Sequence, residues 1–122
     1  MDFAVIGLVI GAAVLGSVGQ LLLKNGMIQI GQVTFVGMIQ NFVVYLFTNP
    51  FIFFGLALYG ISTVFYLTAL SRGSLSFVFP IVSVSYIFVA LLALFFLGEK
   101  ISVLKWLGII TIVTGVFLVV KS

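Results

Sequence analysis

Five basic and two acidic side chains are spread over 122 residues that are 64% hydrophobic, with a mean hydropathy of +1.50. A soluble domain of this size has too few polar groups to cover so much apolar chain, and a dispersed net charge of +3 offers no basic face for nucleic acid. With no Cys and no His, there is no disulfide and no thiolate or imidazole metal site, so no cofactor is expected.

The charges are Asp2, Lys24, Arg72, Glu99, Lys100, Lys105 and Lys121, all outside or near the ends of four apolar runs. The runs are Phe3–Leu23, Phe51–Leu70, Ser74–Leu97 and Val103–Val120. A bilayer core takes about 20 apolar residues per helical crossing. Backbone polar groups in lipid must pair within their own segment, so these runs predict an all-α membrane protein with four transmembrane helices. The first run lacks a basic leader and a clear A-x-A-type cleavage site, so it reads as a retained helix ending at Lys24. Ala12, Gly16 and Gly19 share one of its faces and permit close helix approach. A neighbouring stripe holds Ala13, Ser17, Gln20 and Lys24 and is the most polar line in that span.

Residues 34–47 place Phe35, Met38, Ile39, Phe42 and Leu46 on one helical face, away from Gln40 and Asn41. This predicts an amphipathic helix at the membrane interface, with a fifth, short or re-entrant crossing as the competing reading. Asn49-Pro50 punctuates the start of the second span. That span aligns Gly55, Tyr59, Ser62, Thr63 and Tyr66, and the turn Ser71-Arg72-Gly73 makes the third span its antiparallel neighbour. The third span aligns Ser76, Phe79, Pro80, Ser83 and Tyr86, and Pro80 predicts a kink because it cannot donate to the helix ladder. Ser102 is a candidate cap for the fourth span, which carries Gly108, Thr111 and Gly115 on one stripe.

Four segments then stand in order. They are Gly19-Gln20-Leu21-Leu22-Leu23-Lys24; Leu67-Thr68-Ala69-Leu70-Ser71-Arg72; Ser74-Leu75-Ser76-Phe77-Val78-Phe79-Pro80-Ile81; and Leu97-Gly98-Glu99-Lys100-Ile101-Ser102, followed by Trp106-Leu107-Gly108-Ile109-Ile110 and Gly115-Val116. Together they resemble the drug/metabolite transporter superfamily, specifically its short four-helix EamA-like members, over most of the chain outside residues 25–50. Small multidrug-resistance exporters are similar in the fourth helix, where a Gly-x6-Gly stripe packs dimers. Gly108 and Gly115 match that stripe. Those exporters exchange drug for protons on a membrane-embedded Glu in the first helix; aligned on Lys24, that place holds Gly16. No span here carries a titratable carboxylate, amine or imidazole away from its ends, so the group such exchange needs is missing. The chain is more similar to the small subunits that flip aminoarabinose-linked undecaprenyl phosphate, which also carry a Gly-Gln pair late in the first helix and lack the Glu.

The resemblance implies a multi-pass inner-membrane transporter, not an enzyme, that moves a polyprenyl-phosphate sugar or a small amphipathic solute. The expected assembly is a homodimer, or a heterodimer with a similar small subunit. The alternatives are a multidrug-type exporter of cationic compounds and a non-transporting accessory subunit.

Candidate substrate contacts are Ser17, Gln20 and Lys24, with Tyr59, Ser62, Thr63, Tyr66, Ser76, Ser83 and Tyr86 as the lining of a polar cavity. For Lys24 a lipid phosphate contact competes with a snorkelling anchor. The hydroxyls compete with bonding back to their own helix. Arg72, Glu99 and Lys100 are candidate gate or phosphate contacts. Against that, Arg72 reads as a topology charge, and Glu99 as a carboxylate stabilising the start of the fourth helix. Gly108 and Gly115 are assigned to helix packing. No base–nucleophile pair or carboxylate pair suggests catalysis.

Overall fold

The computed structural model describes residues 3–122, and the described residues form helices joined by short turns. The elements are α1 (Phe3–Ile30), α2 (Phe35–Thr48), α3 (Pro50–Leu70), α4 (Leu75–Val82), α5 (Ser85–Phe96) and α6 (Val103–Lys121). Four spans are long and apolar enough to cross a membrane: α1, α3, α4 with α5, and α6.

The small residues of α1 decide what it packs against. A Cβ on Gly19 would lie 2.8 Å from the Gly55 carbonyl oxygen, and a Cβ on Gly55 would lie 2.9 Å from that of Gly19. Side chains at either place would force the backbones apart, so the two glycines let α1 and α3 meet main chain to main chain. The neighbours of Gly11, Gly16, Gly19 and Gly26 are Phe65, Ser62, Gly55 and Ile52 respectively. Rising numbers on α1 meet falling numbers on α3, so the two helices are antiparallel.

This pairing also places α2. The end of α1 and the start of α3 lie at the same end of the bundle, so α2 leaves and returns on one side. Its 14 residues span about 21 Å at ~1.5 Å per residue, short of a ~30 Å hydrocarbon core. A complete fifth crossing is therefore excluded. The helix has no buried residue and exposes Phe35, Ile39, Val43 and Phe47. Thr34 starts it by accepting the Gly37 N–H at 3.0 Å.

The first helix does not stop at Leu23. It runs on to Ile30, so Lys24 lies within it, and Gly31 with φ +90° ends it. Tertiary contacts support the extra turns. Asn49 Nδ2 donates to the Gly26 carbonyl at 3.4 Å and to Gln29 Oε1 at 3.3 Å. The same side chain's Oδ1 caps α3, accepting the N–H groups of Phe51 and Ile52.

The third span is two helices. Pro80 lies inside α4, and the ladder then tightens, with Ser83 N–H bonded to Pro80, Val84 to Ile81, Tyr86 to Ser83 and Ile87 to Val84. These are i→i+3 bonds of the 3₁₀ type, which separate α4 from α5. At the membrane boundary, Gly98 with φ +68° ends the span after Leu97, and Ser102 caps α6 by accepting the Lys105 N–H at 3.2 Å.

The buried core is small: Val5, Val9, Ala69, Val78, Ile81 and Val116 meet near one end. α1 packs on α3, α4 and α5, whereas α6 meets the bundle chiefly through α4. The remaining large apolar side chains, such as Phe54, Phe95, Leu104 and Phe117, point outward, as lipid-facing residues do.

Candidate functional site

The polar stripe of α1 turns toward α5, because the adjoining glycine face is taken up by α3. Gly19 is buried against Gly55, so Gln20, one residue on, is rotated out of that seam. Gln20 borders three spaces, and no hydrogen bond from its amide to another described residue is seen.

The first space is a cavity of about 170 Å³ between α1, α3 and the third span. Ala13, Gly16 and Gln20 form its α1 wall, Tyr59, Ser62, Thr63 and Tyr66 its α3 wall, and Phe79, Val82 and Ser85 the third. Ser62 Oγ donates to the Tyr59 carbonyl at 2.6 Å and Thr63 Oγ1 donates to the same oxygen at 3.0 Å. Back-bonding and cavity lining therefore hold together. The hydroxyl protons are used within the helix, and the oxygens keep lone pairs that accept from a guest. The Gln20 amide supplies both donor and acceptor.

The second space, of about 210 Å³, lies between α1 and α5 and joins Ser17, Gln20 and Lys24 to Glu99, with Leu92, Ala93 and Leu97 as apolar lining. Ser17 is 2% exposed; its Oγ donates to the Ala13 carbonyl at 2.6 Å and reaches the Ser85 carbonyl at 3.4 Å. It thus ties α1 to the start of α5 and is already satisfied. Lys24 and Glu99 are exposed at the charged end of this groove.

The third space, of about 400 Å³, runs along the other flank of α5 past Gln20, Phe79, Ser83, Tyr86 and Ile112 of α6. Beside it, Tyr86, Glu99, Lys100 and Lys105 border a pocket of about 130 Å³ between α5 and α6.

Ser17, Gln20, Lys24 and Glu99 are thus brought together, as are Tyr59, Ser62, Thr63 and Tyr66; Ser83, Tyr86 and Lys100 stand on the adjoining flank. Ser76 stands apart, exposed near Ser74, with their hydroxyl oxygens 3.4 Å apart. Arg72 lies at the opposite end of the bundle, where it borders a space of about 440 Å³ with Lys121. Gly108 and Gly115 touch no neighbouring helix: a Cβ on either would meet nothing within 4 Å.

Ser85 was not among the sequence candidates. A continuous helix carries it away from the Ser76–Ser83 face, but the tightened turn advances roughly 120° per residue and swings it toward α1. Pro80 is the signal that the face drawn through the third span does not continue past residue 83.

Residues 48–121, which include α3 to α6 and most of these cavity walls, match the model of the EamA-like transporter family. The chain belongs to that family. A curated relative, the probable 4-amino-4-deoxy-L-arabinose-phosphoundecaprenol flippase subunit ArnF of Erwinia tasmaniensis, is 36% identical over 117 residues, covering 90% of this chain and 89% of its own length. No solved structure gives a significant match. As an EamA-like protein with four membrane-length helices, the chain is a multi-pass inner-membrane protein of the transporter type.

Proposed function

We propose that this EamA-like protein moves a polyprenyl-phosphate-linked sugar across the inner membrane, as one subunit of a dimer. The observation that carries the reading is the groove between α1 and α5, in which a charged end at Lys24 continues into the polar side chain of Gln20 along apolar α5. A lipid-linked anion needs this combination. Its phosphate requires a cation at the water boundary, its sugar requires hydrogen-bonding groups, and its chain requires an apolar wall open to lipid. The ArnF relative, whose name specifies a sugar-phosphoundecaprenol cargo, supports the same class of substrate. The word subunit in that name, and the open glycine face of α6, support a two-chain assembly.

Lys24 provides the test. A charge-assisted hydrogen bond to phosphate is roughly twice as strong as a neutral one. Lys24→Ala should weaken binding of a polyprenyl-phosphate sugar about tenfold in nanodiscs and leave helical content unchanged, whereas Lys24→Arg should keep most of the affinity. Equal affinity for wild type and both variants reduces Lys24 to a membrane anchor. Flipping by purified protein in liposomes separates a transporter from a scaffold.

A further inference from the structure

The end of the bundle away from Lys24 brings two cations onto one space. Arg72, on the turn between α3 and α4, and Lys121, in the last turn of α6, border an open space of about 440 Å³, although they lie far apart in the chain. Among the described residues no ion pair within 4.0 Å engages either one, and Glu99, the acidic side chain among them, lies at the other end.

Both cations stand on firm backbone. The Gly73 N–H donates to the Ala69 carbonyl at 2.9 Å, and a Cβ on Gly73 would lie 3.1 Å from Val78 and 3.3 Å from Val5, so the turn is seated on the core. The Lys121 ammonium lies 5.4 Å from the Phe117 ring centre. The floor of the space is apolar: Val5 belongs to the buried core, and Phe77 and Val120 pack against it. Two cations beside such a floor repel each other more than they do in water, and an anion between them relieves that repulsion. Arg supplies a planar fork that matches phosphate oxygens, and Lys supplies a compact point charge. A charge that only sets topology needs neither a shared space nor an apolar floor.

The third span, Leu75–Phe96, has 22 residues and so rises about 33 Å at ~1.5 Å per residue. It carries the chain from this space to the Lys24 groove, so the two open at opposite faces of a ~30 Å hydrocarbon core.

We propose that Arg72 and Lys121 form a second phosphate site, which holds the phosphate of the lipid-linked cargo at the membrane face opposite Lys24. This rests on the reading of the cargo as a lipid-linked phosphate. The charged group then has a cationic partner both before and after it crosses. The apolar walls at Phe77 and Val120 favour an ester that carries a chain over inorganic phosphate, which gains nothing from them.

The test uses the full chain in nanodiscs and two photoreactive probes, a short polyprenyl phosphate with a diazirine beside its phosphate and the matching neutral polyprenol. In wild type the phosphate probe should label residues 17–24 and residues 72–78, and the polyprenol should label residues 72–78 about tenfold less. Arg72→Gln combined with Lys121→Gln should lower phosphate-probe labelling of residues 72–78 about tenfold, while undiminished labelling of residues 17–24 shows the bundle intact. Arg72→Lys alone, which keeps charge and loses the fork, should retain part of it. Labelling of residues 72–78 that is equal for both probes, or unchanged in the double variant, overturns the proposal and marks apolar contact with the chain. So does displacement by excess inorganic phosphate or by excess phosphatidylglycerol, which assigns the site to free phosphate or to bulk lipid. If residues 17–24 alone are labelled, the Lys24 reading stands and the second site falls. If residues 72–78 alone are labelled, the second site stands and the Lys24 reading falls. If neither segment is labelled, both fall.

Discussion

Gly19 and Gln20 show how two adjacent residues serve different parts of the molecule. Gly19 lets α3 approach main chain to main chain, and Gln20 opens onto the cavity, because a helix turns ~100° between them. Gly19→Ala places a methyl group 2.8 Å from the Gly55 carbonyl oxygen and 3.1 Å from the Tyr59 nitrogen. Neither backbone atom can swing aside, so the helices must separate. A cost of about 1–3 kcal/mol is expected, read as a lowered unfolding midpoint in mixed micelles. Gly7→Ala, at a helical position with nothing within 4 Å, should hold or raise the midpoint, because Ala is the better helix former, and serves as the control. Much of this was legible in the chain itself. The faces Ala12–Gly16–Gly19 and Ser17–Gln20–Lys24 follow from helical spacing, and the structure turns the first to α3 and the second to α5. What spacing does not reveal is which residues from distant elements meet them. Glu99 joins the Lys24 groove because the third span runs parallel to α1, from the Arg72 end of the bundle to the end where Lys24 sits.

At the level of elements, the number and type of the membrane helices follow from the apolar runs, whereas two of their boundaries follow from tertiary contacts. Charge suggests an end at Lys24, yet α1 continues because Asn49 bonds its last turns and Gly26 fits against Ile52. Nothing local to residues 25–30 signals this; the support comes from a residue about twenty positions on. The third span carries its own signal in Pro80. The sequence predicts a bend, and the structure resolves it into α4 and α5, with a tightened turn that exchanges Ser76 for Ser85 as a neighbour of the cavity. The segment 34–47 is a helix, as its pattern indicates, and its place on one side of the membrane follows from the antiparallel seam between the helices that flank it.

For the whole molecule, the outward face of α6 is the clearest unfinished surface. Gly108 and Gly115 lie on it with no neighbour, although glycine in a lipid-facing helix gains little unless another backbone comes close. Gly108→Leu should therefore lower the dimer fraction, counted by single-molecule photobleaching in lipid, and leave the monomer's helical content intact. An unchanged fraction moves the subunit contact off α6. The glycine seam has a different consequence, one of time rather than place. Segments of a protein open at different rates, and the slowest are those whose backbones are most tightly packed. Here one half of the bundle is locked by direct contact between α1 and α3, while the other half is a jointed span and a helix held chiefly through α4. Amide hydrogen exchange of the intact chain in nanodiscs should follow that division. Protons at residues 12–23 and 55–66 should outlast those at residues 83–87 by at least an order of magnitude, roughly the factor given by one extra kilocalorie or two of local opening energy. Uniform exchange along the four spans would mean that the bundle opens as one body, with no slow half for the cargo to pass against.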